Sequence, residues 1–257
     1  MKKTQLTTAF ILSFLLISAI TVAQSTEIRN LSGFTKVGFG VPGNLNIRIG
    51  SEFKVVLEGD KEWIDRVVTE VSNGKLTIKR KEEASGWFRR GGNWTGKVTV
   101  NITMPALSEL TVSGSGKAEV FDSFRATSLN LSVSGSGKLI LNDVSGEALT
   151  CGISGSGGLI IKGNGSFDKA NIRVSGSGGY SGESLKLQDA EVTISGSGNS
   201  NCYVTNSLDV RVSGSGNCNS YVGNVLNASI SGSGNVTYSG SPKIDARISG
   251  SGKVRAR

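Results

Sequence analysis

Residues 208–216 read Leu208-Asp209-Val210-Arg211-Val212-Ser213-Gly214-Ser215-Gly216, an apolar-polar alternation that runs into Ser-Gly-Ser-Gly. The same tetrapeptide begins at Ser113, Ser134, Ser154, Ser175, Ser195, Ser213, Ser231 and Ser249, at steps of 21, 20, 21, 20, 18, 18 and 18 residues. A period near twenty marks a solenoid, whose units cannot bury an apolar face alone and must stack on their neighbours. One residue before each motif stand Val112, Val133, Ile153, Val174, Ile194, Val212, Ile230 and Ile248, all β-branched. Three before stand Leu110, Leu131, Cys151, Ile172, Val192, Val210, Ala228 and Ala246. Between these columns lie Thr111, Ser132, Gly152, Arg173, Thr193, Arg211, Ser229 and Arg247. A strict period of two is a strand with one buried face, because successive side chains point to opposite sides of the pleat.

Gly-Ser-Gly after each strand lets the chain bend at the same place in every unit, since glycine takes positive φ without a Cβ clash. A second, weaker alternation follows, with Ala118, Leu139, Leu159, Tyr180, Ser200, Cys218, Val236 and Val254 five residues past the first Ser. A meander of hairpins and a parallel coil both fit strands of this length. Only the coil sets the same residue type above itself in every unit, and the handedness rule for parallel crossovers makes it right-handed. The predicted fold is therefore an all-β, right-handed parallel β-helix of eight Ser-Gly-Ser-Gly coils. With 36 Gly, 3 Pro and 6% aromatics among 257 residues, the composition suits narrow stacked layers better than a conventional globular core.

The chain is expected to open with a cleaved leader over 1–23. Lys2 and Lys3 precede an apolar run from about Thr8 to Val22, and Thr21 and Ala23 offer small residues for cleavage before Gln24. The run is shorter than a spanning helix needs and is broken by Ser13, Ser18 and Thr21, so export is the reading and no later segment could span a membrane. Residues 24–257 then form one domain, with 24–107 as N-terminal strands and cap and 108–257 as the repeats. In the first part Leu45, Ile47 and Ile49 alternate, as do Phe53, Val55 and Leu57, Leu76 and Ile78, and Val98, Val100, Ile102 and Met104. Gly59-Asp60 and the following Lys61 to Asp65 read as a turn and a short helix, with Trp63 and Ile64 over the end of the rod. At the other end Lys253, Arg255 and Arg257 alternate with Val254 and Ala256, as charges that discourage edge-to-edge pairing.

Histidine is absent, which excludes Ser-His-Asp and Cys-His nucleophiles. No Cys spacing indicates a metal site, and no cofactor is expected. Cys151, Cys202 and Cys218 read as small buried hydrophobes, with a Cys202–Cys218 disulfide between neighbouring coils as the alternative. The acids of the repeats, among them Glu119, Glu191, Asp209 and Asp245, read as scattered over different offsets without a repeated acidic column, which argues against a polysaccharide-processing enzyme.

Two surface features are candidates for binding. Arg173, Arg211 and Arg247 recur in the outward column of every second coil, about 10 Å apart. Loss of Lys2 and Lys3 with the leader leaves 26 basic against 20 acidic side chains, so this row reads either as a strip for anionic glycan or as a solvated face whose Thr193 and Ser229 separate like charges. The second is Gly86-Trp87-Phe88-Arg89-Arg90-Gly91-Gly92-Asn93-Trp94, where Trp87, Arg89, Arg90 and Trp94 suit stacking on sugar rings or docking on a partner, unless the aromatics fold back as a lid. The basic residues are too dispersed for nucleic acid.

A leader, a strand-rich first third and Ser-Gly-Ser-Gly coils together resemble the bacterial putative auto-transporter adhesin family with the head GIN domain, over about residues 30 to 250. The resemblance implies a β-helix similar to pectin-lyase-like folds without their catalytic residues, a non-enzymatic role in adhesion at the cell surface or envelope, and assembly as a homo-oligomer. Its partners would be a surface glycan or a host or cell-surface protein. The chain departs from true autotransporters in lacking a C-terminal membrane barrel. A polysaccharide-processing enzyme and a purely structural envelope protein are the alternative functions.

Overall fold

The computed structural model describes residues 25–81 and 94–257. The expected leader and the Trp87, Arg89 and Arg90 positions lie outside the described residues.

The alternating columns become stacked parallel strands. Val112, Val133, Ile153, Val174, Ile194, Val212, Ile230 and Ile248 pair in register, each with the same position one coil on. The second alternation pairs the same way, from Ala118 on Leu139 through Tyr180 on Ser200 to Val236 on Val254. A shorter third run stacks Gly146, Phe167 and Leu187. Between the third run and the main strand the ladder skips one residue, at Thr127, Glu147, Asp168 and Gln188, which turns the chain and resets the inward parity. The repeats are thus a parallel β-solenoid, and the hairpin meander is excluded.

The two glycines of each motif do different work. The first, as at Gly135, has φ of +101°, and a Cβ there would lie 2.7 Å from the carbonyl oxygen of Gly114 below it. The second, as at Gly137, would carry a Cβ only 2.8 Å from Val112 Cγ1 and 2.7 Å from the oxygen of Gly116. One glycine bends the corner and the other lets successive corners nest against the inward valine column. Backbone hydrogen bonds such as Ser136 N–H to the Gly114 oxygen, 2.9 Å, tie the corners together.

In the first part of the chain, order in space departs from order in sequence. Lys36–Phe39 lies between Lys75–Arg80 and Glu109–Gly114, parallel to both. Gly43–Ile49 likewise lies between Val98–Met104 and Lys117–Val120. The earliest coil is therefore an inner layer, and a coil assembled from two later, separated strands lies outside it. Beyond that layer the pairing becomes antiparallel, with Lys54–Gly59 on Val98–Met104, Ser25–Arg29 on Lys54–Gly59, and Val67–Ser72 on Lys75–Arg80. The expected short helix is Lys61–Ile64, and its Trp63 and Ile64 are buried. Trp94 packs on Trp63 with ring centroids 5.0 Å apart, and the Arg66 guanidinium lies 4.8 Å from the centre of the Trp63 ring.

The far end is open. No layer among the described residues covers the coil formed by Lys243–Gly250 and Lys253–Ala256, so Ile244 and Ile248, which the column pattern marks as inward, stand 45% and 46% exposed. Ala246 of the same face is exposed as well. Inward parity alone therefore does not bury a side chain at a terminal coil.

Candidate functional site

Stacking converts each outward offset into a column of side chains on the rod surface. The column of Arg173, Thr193, Arg211, Ser229 and Arg247 is present as expected from spacing, with every member exposed or half-buried. Two residues earlier on the same face runs a column of Asn171, Glu191, Asp209, Asn227 and Asp245. This overturns the expectation of scattered acids: Glu109, Glu191, Asp209 and Asp245 share one offset, four before the motif.

The two columns neutralise one another. Arg211 Nη1 lies 2.6 Å from Glu191 Oε1, and Arg247 Nη2 lies 3.7 Å from Asp245 Oδ2. Asn171 Nδ2 donates to Glu191 Oε2 at 3.0 Å, and Asn227 Nδ2 donates to Asp209 Oδ1 at 2.9 Å. A shallow groove runs between the columns beside Asp209, Asn227 and Arg247. Its character is that of alternating charge, not of an uninterrupted basic strip.

A second groove lies on the face that follows the glycine corner, at the last four coils. Its floor and walls are two columns, Asn201, Asn219, Thr237 and Arg255, and Tyr203, Tyr221 and Ser239, with Arg257 beyond. Tyr203 and Tyr221 stack with centroids 4.4 Å apart and planes 10° apart. Asn219 Nδ2 donates to Asn201 Oδ1 at 3.0 Å, and on a neighbouring column Asn235 donates to Asn217 and Asn217 to Asn199 at 3.0 and 3.1 Å. These amide ladders occur where coils are 18 residues long, because equal coils place each Asn directly over its equivalent. Of these groove residues only Arg255 and Arg257 are named from sequence, and there as charges against edge pairing and not as parts of a binding surface. They occupy offsets six and eight past the motif, so carrying the column comparison three residues further reveals them.

Behind this groove the interior is unusually polar. Tyr180 is buried with its ring over Gly182, where no side chain would fit, and among the described residues its hydroxyl has no hydrogen-bond partner, nor do those of buried Ser200 and Ser220. Cys151, Cys202 and Cys218 are buried free thiols. The alternative of a Cys202–Cys218 bridge is not realised: Cys202 pairs with Ser220 and Cys218 with Ser200, a diagonal relation that sets the two Cα atoms about 8 Å apart by strand spacing and rise. That exceeds the reach of a disulfide. Burial pushes the Cys151 thiol and the Tyr180 phenol up, and Cys202 is pushed up first by its hydrogen bond with Cys218 and then by burial. Sulfur held as thiol in this way packs but does not attack.

Of the residues expected to bind, Trp94 sits at the opposite end of the rod, against Trp63, with the Arg80 guanidinium 5.7 Å from its ring centre. Trp87, Arg89 and Arg90 lie outside the described residues. Among the described residues, no helix is long and apolar enough to cross a membrane, and no group of three or more His, Cys, Asp or Glu side chains is placed to hold a metal.

The fold recurs in solved structures. The chain is similar to a crystal structure from Parabacteroides distasonis ATCC 8503 described as a putative lipid binding protein, at 24% identity and a TM-score of 0.85, covering 91% of this chain and 96% of that one. It is also similar to a putative adhesin from Parabacteroides merdae ATCC 43184, at 18% identity and a TM-score of 0.81, covering 91% and 96%. A putative adhesin from Bacteroides fragilis NCTC 9343 matches at 18% identity and a TM-score of 0.70, covering 91% and 97%. No curated protein matches in sequence. The family model described as "Putative auto-transporter adhesin, head GIN domain" matches residues 33–224, which leaves the last two coils outside it. With most of its length inside that match, the chain belongs to the auto-transporter adhesin family that carries the head GIN domain.

Proposed function

We propose that the protein is an exported, non-catalytic module of the cell envelope or cell surface that acts in adhesion, by holding a surface glycan or a cell-surface protein against the side of its rod. The observation that carries this reading is the repetition of outward side chains at fixed height. Arg173, Arg211 and Arg247 recur at every second coil, about 10 Å apart, beside a column of acids and amides. A surface that repeats along its axis suits a ligand that also repeats, because each added unit multiplies effective concentration without a new kind of contact. The leader over 1–23, the adhesin description of the family and the pairing of thiols with burial rather than with a base support the same reading. The stretch from Trp87 to Trp94, with Arg89 and Arg90, is a second candidate contact region.

The test is binding of the purified chain, without its leader, to arrayed polysaccharides and to intact cells, together with surface proteolysis and fractionation of the native cell. Retention on at least one surface, and cleavage by protease added outside or recovery in the periplasm, are the expected results. Failure to bind any surface, cytoplasmic recovery, or release of sugar fragments from a polysaccharide would overturn it.

A further inference from the structure

The stacked tyrosines leave one aromatic face unused. In the column of Tyr203 and Tyr221 the next position is Ser239, and beside it Gly240 would bring a Cβ 3.4 Å from Tyr221 Cε2. Small residues at this level leave the far side of the Tyr221 ring open, and Tyr221 is 36% exposed although its ring is held in place by Tyr203. Around that ring stand the Asn219 amide, whose N–H already donates to Asn201 and whose oxygen has no partner in that bond, and the Thr237 hydroxyl. The next coil adds Arg255 and Arg257, both exposed and, among the described residues, without a carboxylate in ion-pair range.

We propose that this groove binds a chain of acidic sugars, with one pyranose ring stacked by its C–H face on Tyr221 and its carboxylate or sulfate held by Arg255 and Arg257. A tyrosine face combines large apolar area with little conformational freedom to lose, which is how a flat C–H surface is bound. Amide and hydroxyl groups at fixed height match ring hydroxyls, and arginine meets carboxylate or sulfate with two parallel hydrogen bonds. Stacked bases would also use an aromatic face, but a phosphate chain calls for an uninterrupted basic track, and Glu183 stands at the other end of this groove. The inference rests on the adhesive reading above and deepens it by naming a site and a ligand class.

The experiment uses the full chain without its leader and follows binding of polygalacturonate oligosaccharides, a sulfated dextran, neutral dextran and single-stranded DNA, with intact cells as a parallel arm. Expected is binding of the uronate, the sulfated chain or both, at least tenfold tighter than neutral dextran. Tyr221→Ala should weaken it at least tenfold and Tyr221→Phe should retain it. Arg255→Gln should weaken it several-fold and flatten its salt dependence, whereas Arg125→Gln, an equal loss of charge elsewhere on the rod, should not. Circular dichroism and urea midpoints confirm that each variant is folded. Acidic glycan binding that ignores Tyr221→Ala overturns the groove and leaves the adhesive reading in place, as does retention on cells with no acidic glycan bound. DNA bound more tightly than either glycan overturns the ligand class.

Discussion

The rings of Tyr203 and Tyr221 lie parallel, 4.4 Å between centroids and 10° between planes, because two successive 18-residue coils set the same offset one above the other. Aromatic pairs contribute about 0.5–1.5 kcal/mol beyond the area they bury. A double-mutant cycle with Tyr203→Ala and Tyr221→Ala, read by urea denaturation, should return a coupling in that range. A coupling near zero would mean that the two rings do not meet in solution.

Gly114 and Gly135 occupy the same place in consecutive motifs, with φ of +83° and +101°, but a Cβ would meet nothing within 4 Å at Gly114 and a carbonyl oxygen at 2.7 Å at Gly135. Gly114→Ala carries only the backbone cost of a left-handed residue, about 1–2 kcal/mol. Gly135→Ala adds the clash with the coil below, so its loss of stability should exceed that of Gly114→Ala by at least about 1 kcal/mol. Equal losses would show that the corners are looser than described.

Ile230 and Ile248 share one column, 2% and 46% exposed. Ile230→Ala should cost about 2–5 kcal/mol, as for other buried large-to-small changes. Ile248→Ala should cost less than about 1 kcal/mol, since its side chain already meets water. Thermal or urea unfolding of the pair checks this, and comparable losses would indicate that something covers the last coil in solution.

The raised thiols predict alkaline sensitivity. Below about pH 8.5 Cys151 and Cys202 hold their protons whether folded or unfolded, so they add no pH dependence. Above that value the unfolded thiols ionise while the buried ones, pushed up by burial and for Cys202 by Cys218, stay protonated. The unfolded state then binds fewer protons than the native state, and stability falls by up to about 1.4 kcal/mol per pH unit for each thiol. Urea midpoints should therefore drop as pH rises from about 8.5 to about 10, and Cys151→Ala should lessen the drop. An unchanged slope in the variant would place that thiol in contact with water.

Much of the repeat was readable from local pattern. The inward Val and Ile columns, the glycine corners and the outward Arg173, Arg211 and Arg247 all hold, because equal coils turn a fixed offset along the chain into direct contact between layers. The acidic column and the tyrosine groove lie at fixed offsets, four before and eight past the motif, but Asn130, Thr150, Asn171 and Asn227 interrupt the acids and the tyrosines occur in two coils only, so both signals are diluted along the chain.

Alternation along a strand marks which side faces inward, and it does so from neighbouring residues alone, so the solenoid and its register were encoded in the order of amino acids. What lies over that inward side depends on segments far apart in the chain. Folding in space decided that Lys36–Phe39 would be enclosed by Lys75–Arg80 and Glu109–Gly114, and that Ile248 would meet solvent while Ile230 would not. The same long-range closure decides which face of Tyr221 stays open, since that depends on Ser239 arriving one level away.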